Sequence, residues 1–384
     1  MALTVGIIGL PLSGKTTLFN ALTRAGAQIS GYPTSTVQAN RAVVQVPDAR
    51  LDRLAEIFHP RKIVPTTVEF VDVAGIGQLA EGEKREGLSA EFIGHIRNAD
   101  ALAVVLRCFE NPQAPHPAGS VDPLRDLDDL MAELAITDLA TVDKRIDTSA
   151  RKAKSGDKKL AEEVEFLRRL RDHLNEGQPA SELTFSAPEE TILKELFLLT
   201  VKPRLYVANV GEDALAEAAA VVAGEATDAG SGELAHVAAL RARATADGAE
   251  LVAVSARLEA ELGELPAEDA AEYLASLGLP PLGADRVIQV GYTTLNLISF
   301  LTAGEDEVRA WTVTRGSKAP VAAGKIHTDF EKGFIRAEVV SYDDLMRDGG
   351  SMKIAREHGK VRLEGKDYIV RDGDIIEFRF NVTK

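Results

Sequence analysis

The sequence predicts an α/β fold: a mostly parallel sheet, an inserted helical hairpin and a small β-rich unit at the end. Three observations carry this. β-branched apolar runs alternate with helix-periodic segments over much of the chain; the alternation breaks between about Pro123 and Thr200; and the texture changes after Leu279-Pro280-Pro281. Alternating strands and helices argue for a parallel sheet covered on both faces. The 384 residues suit two or three domains, and the 45% apolar content is enough for a core.

Taken in order, Thr4–Gly9 (TVGIIG) reads as a strand, followed by a Gly-rich turn and a helix carrying Leu18, Phe19 and Leu22. Further strands are expected at Arg41–Val46, Thr67–Val71, Ala101–Arg107, Arg204–Ala208 and Glu250–Val254. Leu127, Leu130, Leu134, Leu139, Val142 and Ile146 recur near helical period; a turn at Ser155-Gly156-Asp157 leads to Leu160, Val164, Leu167, Leu170 and Leu174. Two arms joined by a short turn make a helical hairpin, in the manner of a coiled coil. Its tip carries Arg151, Lys152, Lys154, Lys158 and Lys159, which could be a solvated turn or a phosphate-binding knob. Residues 214–246 are rich in Ala and Gly, with helices at Glu217–Ala223 and Glu233–Ala246 around a loop at Thr227–Gly232, and read as a surface elaboration. Val308–Val313, Phe334–Val340, Lys366–Val370 and Ile375–Phe380 are short β-rich runs and Ser341–Arg347 a helix, together a β-grasp-like unit.

Composition excludes several classes. The net charge is −15, yet Asn296–Lys384 holds 15 basic and 15 acidic residues, so the whole deficit lies upstream and the C-terminal unit stands apart. The acidic total argues against sequence-specific DNA binding, although local basic faces survive it. No apolar run approaches the roughly 20 residues that span a bilayer, so no membrane partner is expected. The opening run has no basic leader region or small-residue cleavage site, and Cys108 is the single cysteine. A reducing, cytoplasmic setting is expected.

Chemistry concentrates at Gly9-Leu10-Pro11-Leu12-Ser13-Gly14-Lys15-Thr16, which matches G-x-x-x-x-G-K-[ST] between a strand and a helix. Glycines let backbone N–H groups curve around a β-phosphate at a helix N-terminus. Lys15 reaches the β/γ-phosphates and the Thr16 hydroxyl ligates Mg²⁺. Asp72-Val73-Ala74-Gly75 follows 57 residues after Lys15 at a strand end. Asp72 there can hold Mg²⁺ through water and the Gly75 amide can approach a γ-phosphate. Thr36, in a loop between helix and strand, would supply a second Mg²⁺ hydroxyl.

GTPases of Ras-like layout read guanine with N-K-x-D. Here Asn209-Val210-Gly211-Glu212 stands in that place: the Lys stem is Val210, and the carboxylate is one methylene longer. A site lacking those guanine bonds discriminates weakly. Adenine has no N2 donor to satisfy, and Asn209 still matches its N7/N6 edge, so ATP is expected over GTP. Ser255-Ala256 closes the base pocket from the other side. Ile76 follows Gly75 where Ras-like proteins carry a water-orienting Gln, so intrinsic hydrolysis should be slow. The phosphate-loop backbone, a monovalent cation, or a mobile Gln78, Glu81 or His116 could orient the water instead.

Together these residues resemble the Obg-like ATPase (YchF) family of P-loop NTPases, over nearly the whole chain. The resemblance rests on Gly9–Leu22, PDARLDRL (47–54), EFVDVAG (69–75), RCFEN (107–111), ANVGED (208–213) and most specifically AAGKIHTDFEKGFIRAE (322–338), which is similar to a TGS domain. It implies an Obg-type G domain at 1–122 and 200–282, a helical insertion at 123–199 and a TGS domain at 296–382. It also implies ATP hydrolysis in preference to GTP, Mg²⁺ as cofactor, and ribosome association in translation or stress regulation. By the same resemblance Leu12, Ser13, Gly14, Lys15, Thr16 and Thr17 contact the phosphates, Thr16 and Thr36 hold Mg²⁺, Asn209 and Val210 meet adenine, and Phe109 lies near the base. The family loop usually reads G-x-P-N-V-G-K-S; here Leu12 and Ser13 replace Asn and Val, and Leu12 has no oxygen to ligate K⁺. Ribosome contact, on the large subunit, is expected at the hairpin tip and at Lys325, His327, Lys332 and Arg336 of the TGS domain. The competing expectation is a nucleotide-binding interaction protein without relevant turnover.

Overall fold

The computed structural model describes residues 3–24, 28–29, 40–73, 90–153, 157–225 and 230–381. It divides into two compact units, Met1–Val43 with Glu69–Val287, and Val44–Val68 with Ile288–Lys384. In chain order the elements begin β1 (Thr4–Ile8), α1 (Lys15–Arg24), β2 (Gln28–Ile29), β3 (Asn40–Gln45), α2 (Ala49–Phe58), β4 (Lys62–Val64), β5 (Thr67–Asp72), α3 (Ala90–Asn98) and β6 (Ala101–Arg107). The hairpin arms are α4 (Pro123–Ala153) and α5 (Lys158–Asn175), followed by α6 (Ala187–Leu196). Then come β7 (Arg204–Asn209), α7 (Leu215–Ala223), α8 (Glu233–Asp247), β8 (Glu250–Val254), α9 (Ala256–Leu262), α10 (Ala267–Ser276) and α11 (Gly283–Thr294).

The first unit is built on a seven-stranded sheet in the order β2-β3-β5-β1-β6-β7-β8. β1 runs parallel to β5 and β6, and β7 parallel to β6 and β8. β1 and β6 are buried along their whole length, as near-continuous apolar strands covered on both faces must be. Crossovers in such a sheet bring the C-terminal ends of β1, β6, β7 and β8 to one rim, where ligands of open α/β sheets bind. The first half of α4 buries Leu127, Leu130 and Leu134 in the sheet core, and its second half buries Val142 and Ile146 against Leu167 and Leu170 of α5. One long helix thus serves the domain and then carries the hairpin outward. Arg145 and Ser149 both bond Glu163 across the arms, at 2.7 and 2.8 Å.

Residues 214–246 depart from expectation. α7 and α8 place Leu215, Ala218, Val221, Val237, Leu240 and Ala244 in the same core as Tyr206 and Leu251. The segment is a covering layer of the sheet, and its small residues reflect close packing rather than exposure. Residues 227–229 of the expected loop lie outside the described residues.

In the second unit, β9 (Leu297–Ala303), β10 (Glu307–Thr314), α12 (Ala319–Ile326), α13 (Thr328–Lys332), β11 (Phe334–Ser341), α14 (Tyr342–Arg347), α15 (Met352–Glu357), β12 (Arg362–Glu364) and β13 (Asp374–Phe380) follow. They form, with β4, a six-stranded sheet in the order β12-β11-β13-β9-β10-β4. α12 buries Ala319, Ala322 and Ala323 on one face; Leu51 and Leu54 of α2, with Leu345 and Ala355, cover the other. Residues 44–68 therefore pack with the C-terminal segment, unlike the sequence-based division, because Leu51 and Leu54 meet Leu301 and Val308 and β4 pairs with β10. The expected strand at Lys366–Val370 is a turn region with one bridge, Lys318 to Ile369, whereas β9 and β12 were not anticipated.

Candidate functional site

β1 ends in a loop whose backbone is bent by the residues the motif supplies. Leu12 has φ 62° and Gly14 φ 95°. A Cβ built on Gly14 would lie 2.1 Å from Asn209 Nδ2, so glycine is needed both for the angle and for the approach. Leu12 holds the left-handed conformation without that freedom, at a cost of about 1–2 kcal/mol, and its side chain is 52% exposed. The first turn of α1 closes through Leu18 N–H donating to Gly14 O at 2.8 Å.

Around this loop the predicted side chains converge. Lys15 Nζ donates to Leu10 O at 2.8 Å and is almost fully buried. Thr16 Oγ1 donates to Asp72 Oδ2 at 2.9 Å, from the start of α1 to the end of β5. Asp72 Oδ1 and Ser13 Oγ are buried with no hydrogen-bond partner among the described residues. Burial raises the Asp72 carboxyl above its ordinary value, against the opposing effects of the Thr16 bond and Lys15. Burial lowers Lys15 to about 8, with Asp72 pulling the other way.

Asn209 is the clamp of the site. Its Nδ2 donates to Ser13 O at 2.9 Å and its Oδ1 accepts from Ala256 N at 3.0 Å, so one side chain ties the phosphate loop, β7 and the start of α9 together. Each amide end still has one further donor or acceptor position. Ser255 is buried beside it as the residue before α9. Val210 lies in the core with Ala208 and Leu215, and its N–H donates to Val254 O at 2.9 Å; its side chain is core, where sequence reasoning had placed it against a base. Phe109 is half-buried beneath the Arg107 guanidinium, 4.8 Å from Cζ to ring centroid. Arg107 itself is 1% exposed, donates from Nε to Phe109 O at 3.0 Å, and has two Nη atoms without a partner among the described residues. Sequence reasoning missed it; the one signal was a cation ending an otherwise apolar strand.

His116, expected as a mobile group, is fixed: Nε2 lies 2.8 Å from Asp126 Oδ2, and Nδ1 accepts from Ala118 N at 3.1 Å, with the ring buried. That pairing anchors the loop to the first turn of α4. Thr36, Gly75, Ile76, Gln78 and Glu81 lie outside the described residues. Thr17 sits in the first turn of α1.

The Lys15 shift has a measurable consequence. A lysine that must be protonated to meet phosphate, and whose ligand-free value is near 8, takes up a proton on binding above that pH. Mg²⁺-nucleotide affinity should be flat below pH 8 and fall about tenfold per unit from there toward the ordinary lysine value. Displacement titrations between pH 7 and 9.5 read this; a flat profile across that range contradicts it.

The loop, its buried lysine, the threonine–aspartate pair and the parallel sheet that positions them define a P-loop nucleoside-triphosphatase domain of Ras-like topology, carrying a helical insertion. A family profile described as 50S ribosome-binding GTPase matches residues 4–145, and a YchF-GTPase C-terminal profile, described only as a protein of unknown function, matches 297–381. The chain is 46% identical to the ribosome-binding ATPase YchF of Bacillus subtilis and 44% to that of Escherichia coli O157:H7, in both cases over the full length of both chains. A solved structure of the Schizosaccharomyces pombe YchF GTPase superposes with a TM-score of 0.81 at 32% identity, covering 98% of this chain and 97% of that one. The chain belongs to the YchF family.

Proposed function

We propose that this protein binds Mg²⁺·ATP in preference to Mg²⁺·GTP, hydrolyses it slowly, and acts as a cytoplasmic, ribosome-associated switch in translation or stress responses. The observation that carries the hydrolase reading is the set at the phosphate loop: Lys15 buried and aimed along the loop, and Asp72 with one oxygen on Thr16 and one without a partner among the described residues. That unpaired, buried oxygen next to a hydroxyl is the donor pair a Mg²⁺ ion takes. Thr16 would ligate the ion directly and Asp72 through water, with Thr36 as the further hydroxyl. Held there, the ion would supply positive charge against the negative charge that develops on the transferring phosphate. Lys15 supplies positive charge to the same oxygens from a site that excludes water, where it acts more strongly than at the surface. The Gly75 amide, outside the described residues, would be the further donor to the γ-phosphate. Similarity to relatives named ribosome-binding ATPases supports both halves of the proposal.

Base preference rests on the departure from N-K-x-D. Asn209 keeps one donor and one acceptor for the purine N7/N6 edge, Ser255 and Ala256 adjoin it, Phe109 would be the ring near the base, and Glu212 is exposed and one methylene too long for guanine N1 and N2. Competitive displacement of a fluorescent nucleotide should rank ATP tighter than GTP, and Glu212→Asp should narrow the gap several-fold. Equal or tighter GTP binding by the parent defeats the preference.

For the ribosome, the large subunit is the expected face, met by the hairpin tip and the TGS domain. Arg151, Lys158 and Lys159 are exposed at the described ends of the two arms; Lys154 lies outside the described residues. Replacing Lys152, Lys154, Lys158 and Lys159 with Ala should weaken ribosome co-sedimentation and flatten its salt slope by roughly 0.7–0.9 for each phosphate no longer neutralised. Co-sedimentation matching the parent across salt would make the tip a solvated turn.

A further inference from the structure

Away from the phosphate loop, the first unit carries a cleft of about 360 Å³ between β8, helices α7 and α8, and the segment that leads into α11. Four consecutive residues of β8, Glu250 to Ala253, line it. Side chains of a strand alternate between faces, so a run of consecutive lining residues means that the strand presents its edge. β8 ends the seven-stranded sheet. Backbone directions agree: Val254 O accepts from Val210 N on the β7 side, while Ala253 O lies 3.1 Å from a Cβ built on Gly283, on the other side. Peptide groups alternate along a strand, so Leu251 and Ala253 turn theirs away from β7, toward the cleft.

The walls have two chemistries. Leu215, Val222, Leu251, Pro280 and Pro281 supply apolar surface, and small alanines of α7 and α8 keep it hollow. Arg241 and Arg286 stand at the cleft, both exposed, and neither has a carboxylate partner among the described residues. Glu250, at the first position of β8, is the one acid among the described residues that line it.

We propose that this cleft is a docking site for a short extended segment of a partner protein, acidic and apolar in alternation, which adds beside β8. The unpaired edge of β8, centred on Leu251 because Gly283 already approaches Ala253 O, offers main-chain hydrogen bonds to such a segment, apolar pockets take alternate side chains, and the two guanidiniums select acidic groups. An apolar occupant alone leaves the arginines unused; a small anion alone leaves the edge and the apolar walls unused.

The test uses the full chain and fluorescein-labelled octapeptides. One alternates valine and glutamate, and one valine and lysine. Two further versions of the glutamate peptide are N-methylated, on the valines or on the glutamates. Fluorescence anisotropy should show the glutamate peptide binding at least tenfold tighter than the lysine peptide, with affinity falling as salt rises. One N-methylated version should lose binding and the other keep it, the signature of strand addition in one register. The double variant Arg241→Glu/Arg286→Glu should reverse the preference for glutamate over lysine without changing its melting temperature. Absence of binding to the glutamate peptide overturns the proposal, and so does equal binding by the double variant. Retention by both N-methylated versions overturns strand addition in favour of a plain anion site.

Discussion

Gly14→Ala is expected to lower Mg²⁺·ATP affinity by about a hundredfold or more and to remove hydrolysis with it. The added methyl would meet Asn209 Nδ2 at 2.1 Å, on a backbone held at φ 95°. Relief requires either that the loop unbend or that Asn209 leave Ser13 O and Ala256 N, to which it is bonded at 2.9 and 3.0 Å. Strain at such an angle costs of order 1–3 kcal/mol, and abandoning a buried hydrogen bond a similar amount, which together correspond to two or three decades of binding. Isothermal titration with ATP measures it. A variant that binds within threefold of the parent would show that the Asn209 clamp is dispensable.

The second large effect is on stability. Asp138 of α4 is 1% exposed and accepts from Leu199 N, Thr200 N and Thr200 Oγ1, at 2.7–3.0 Å; Ala180 N in turn donates to Thr200 Oγ1 at 3.1 Å. One carboxylate thus fixes the return of the chain from the hairpin into β7. Asp138→Ala leaves two buried backbone donors and a hydroxyl without partners. The expected loss is about 3–5 kcal/mol, roughly 10 °C in the unfolding of the first unit. Asp138→Asn should recover part of it, since an amide keeps one acceptor. Thermal unfolding of both variants reads the difference; a shift under about 2 °C for the alanine variant means those donors find water instead.

What the sequence discloses and what it hides follow from range. Gly9 to Thr16 was legible because phosphate-loop chemistry fixes residue types at local spacing, and Asp72 because it ends a strand at a characteristic distance. Asn209 was legible as a position but not as a clamp, since its partners, Ser13 and Ala256, are far off in the chain. Three buried charges escaped notice for the same reason. Asp138 and Arg107 look like ordinary surface residues until the packing encloses them. Glu259 receives the Gly283 and Ala284 N–H groups at the start of α11, and burial pushes it to about 7. The helix α2 was not read from the sequence, and nothing local to Leu51 and Leu54 says which sheet they cover; pairing of β4 with β10 across the chain decides that. Residues 214–246 misled because large apolar residues are the usual mark of a core, whereas there alanines pack closely enough to serve. β9 escaped because Leu297-Ile298-Ser299-Phe300-Leu301 follows a helix directly, and a short apolar run does not separate strand from helix by periodicity.

Phosphate release from ATP by the purified full chain, with and without Mg²⁺, and by the Lys15→Ala variant, tests the central claim most directly. The expected result is slow release that requires Mg²⁺ and disappears in the variant, whose melting temperature stays close to the parent's. Release from the variant at the parent's rate, or no Mg²⁺-dependent release from a parent that binds ATP, would contradict it, the second leaving a protein that holds nucleotide without turning it over.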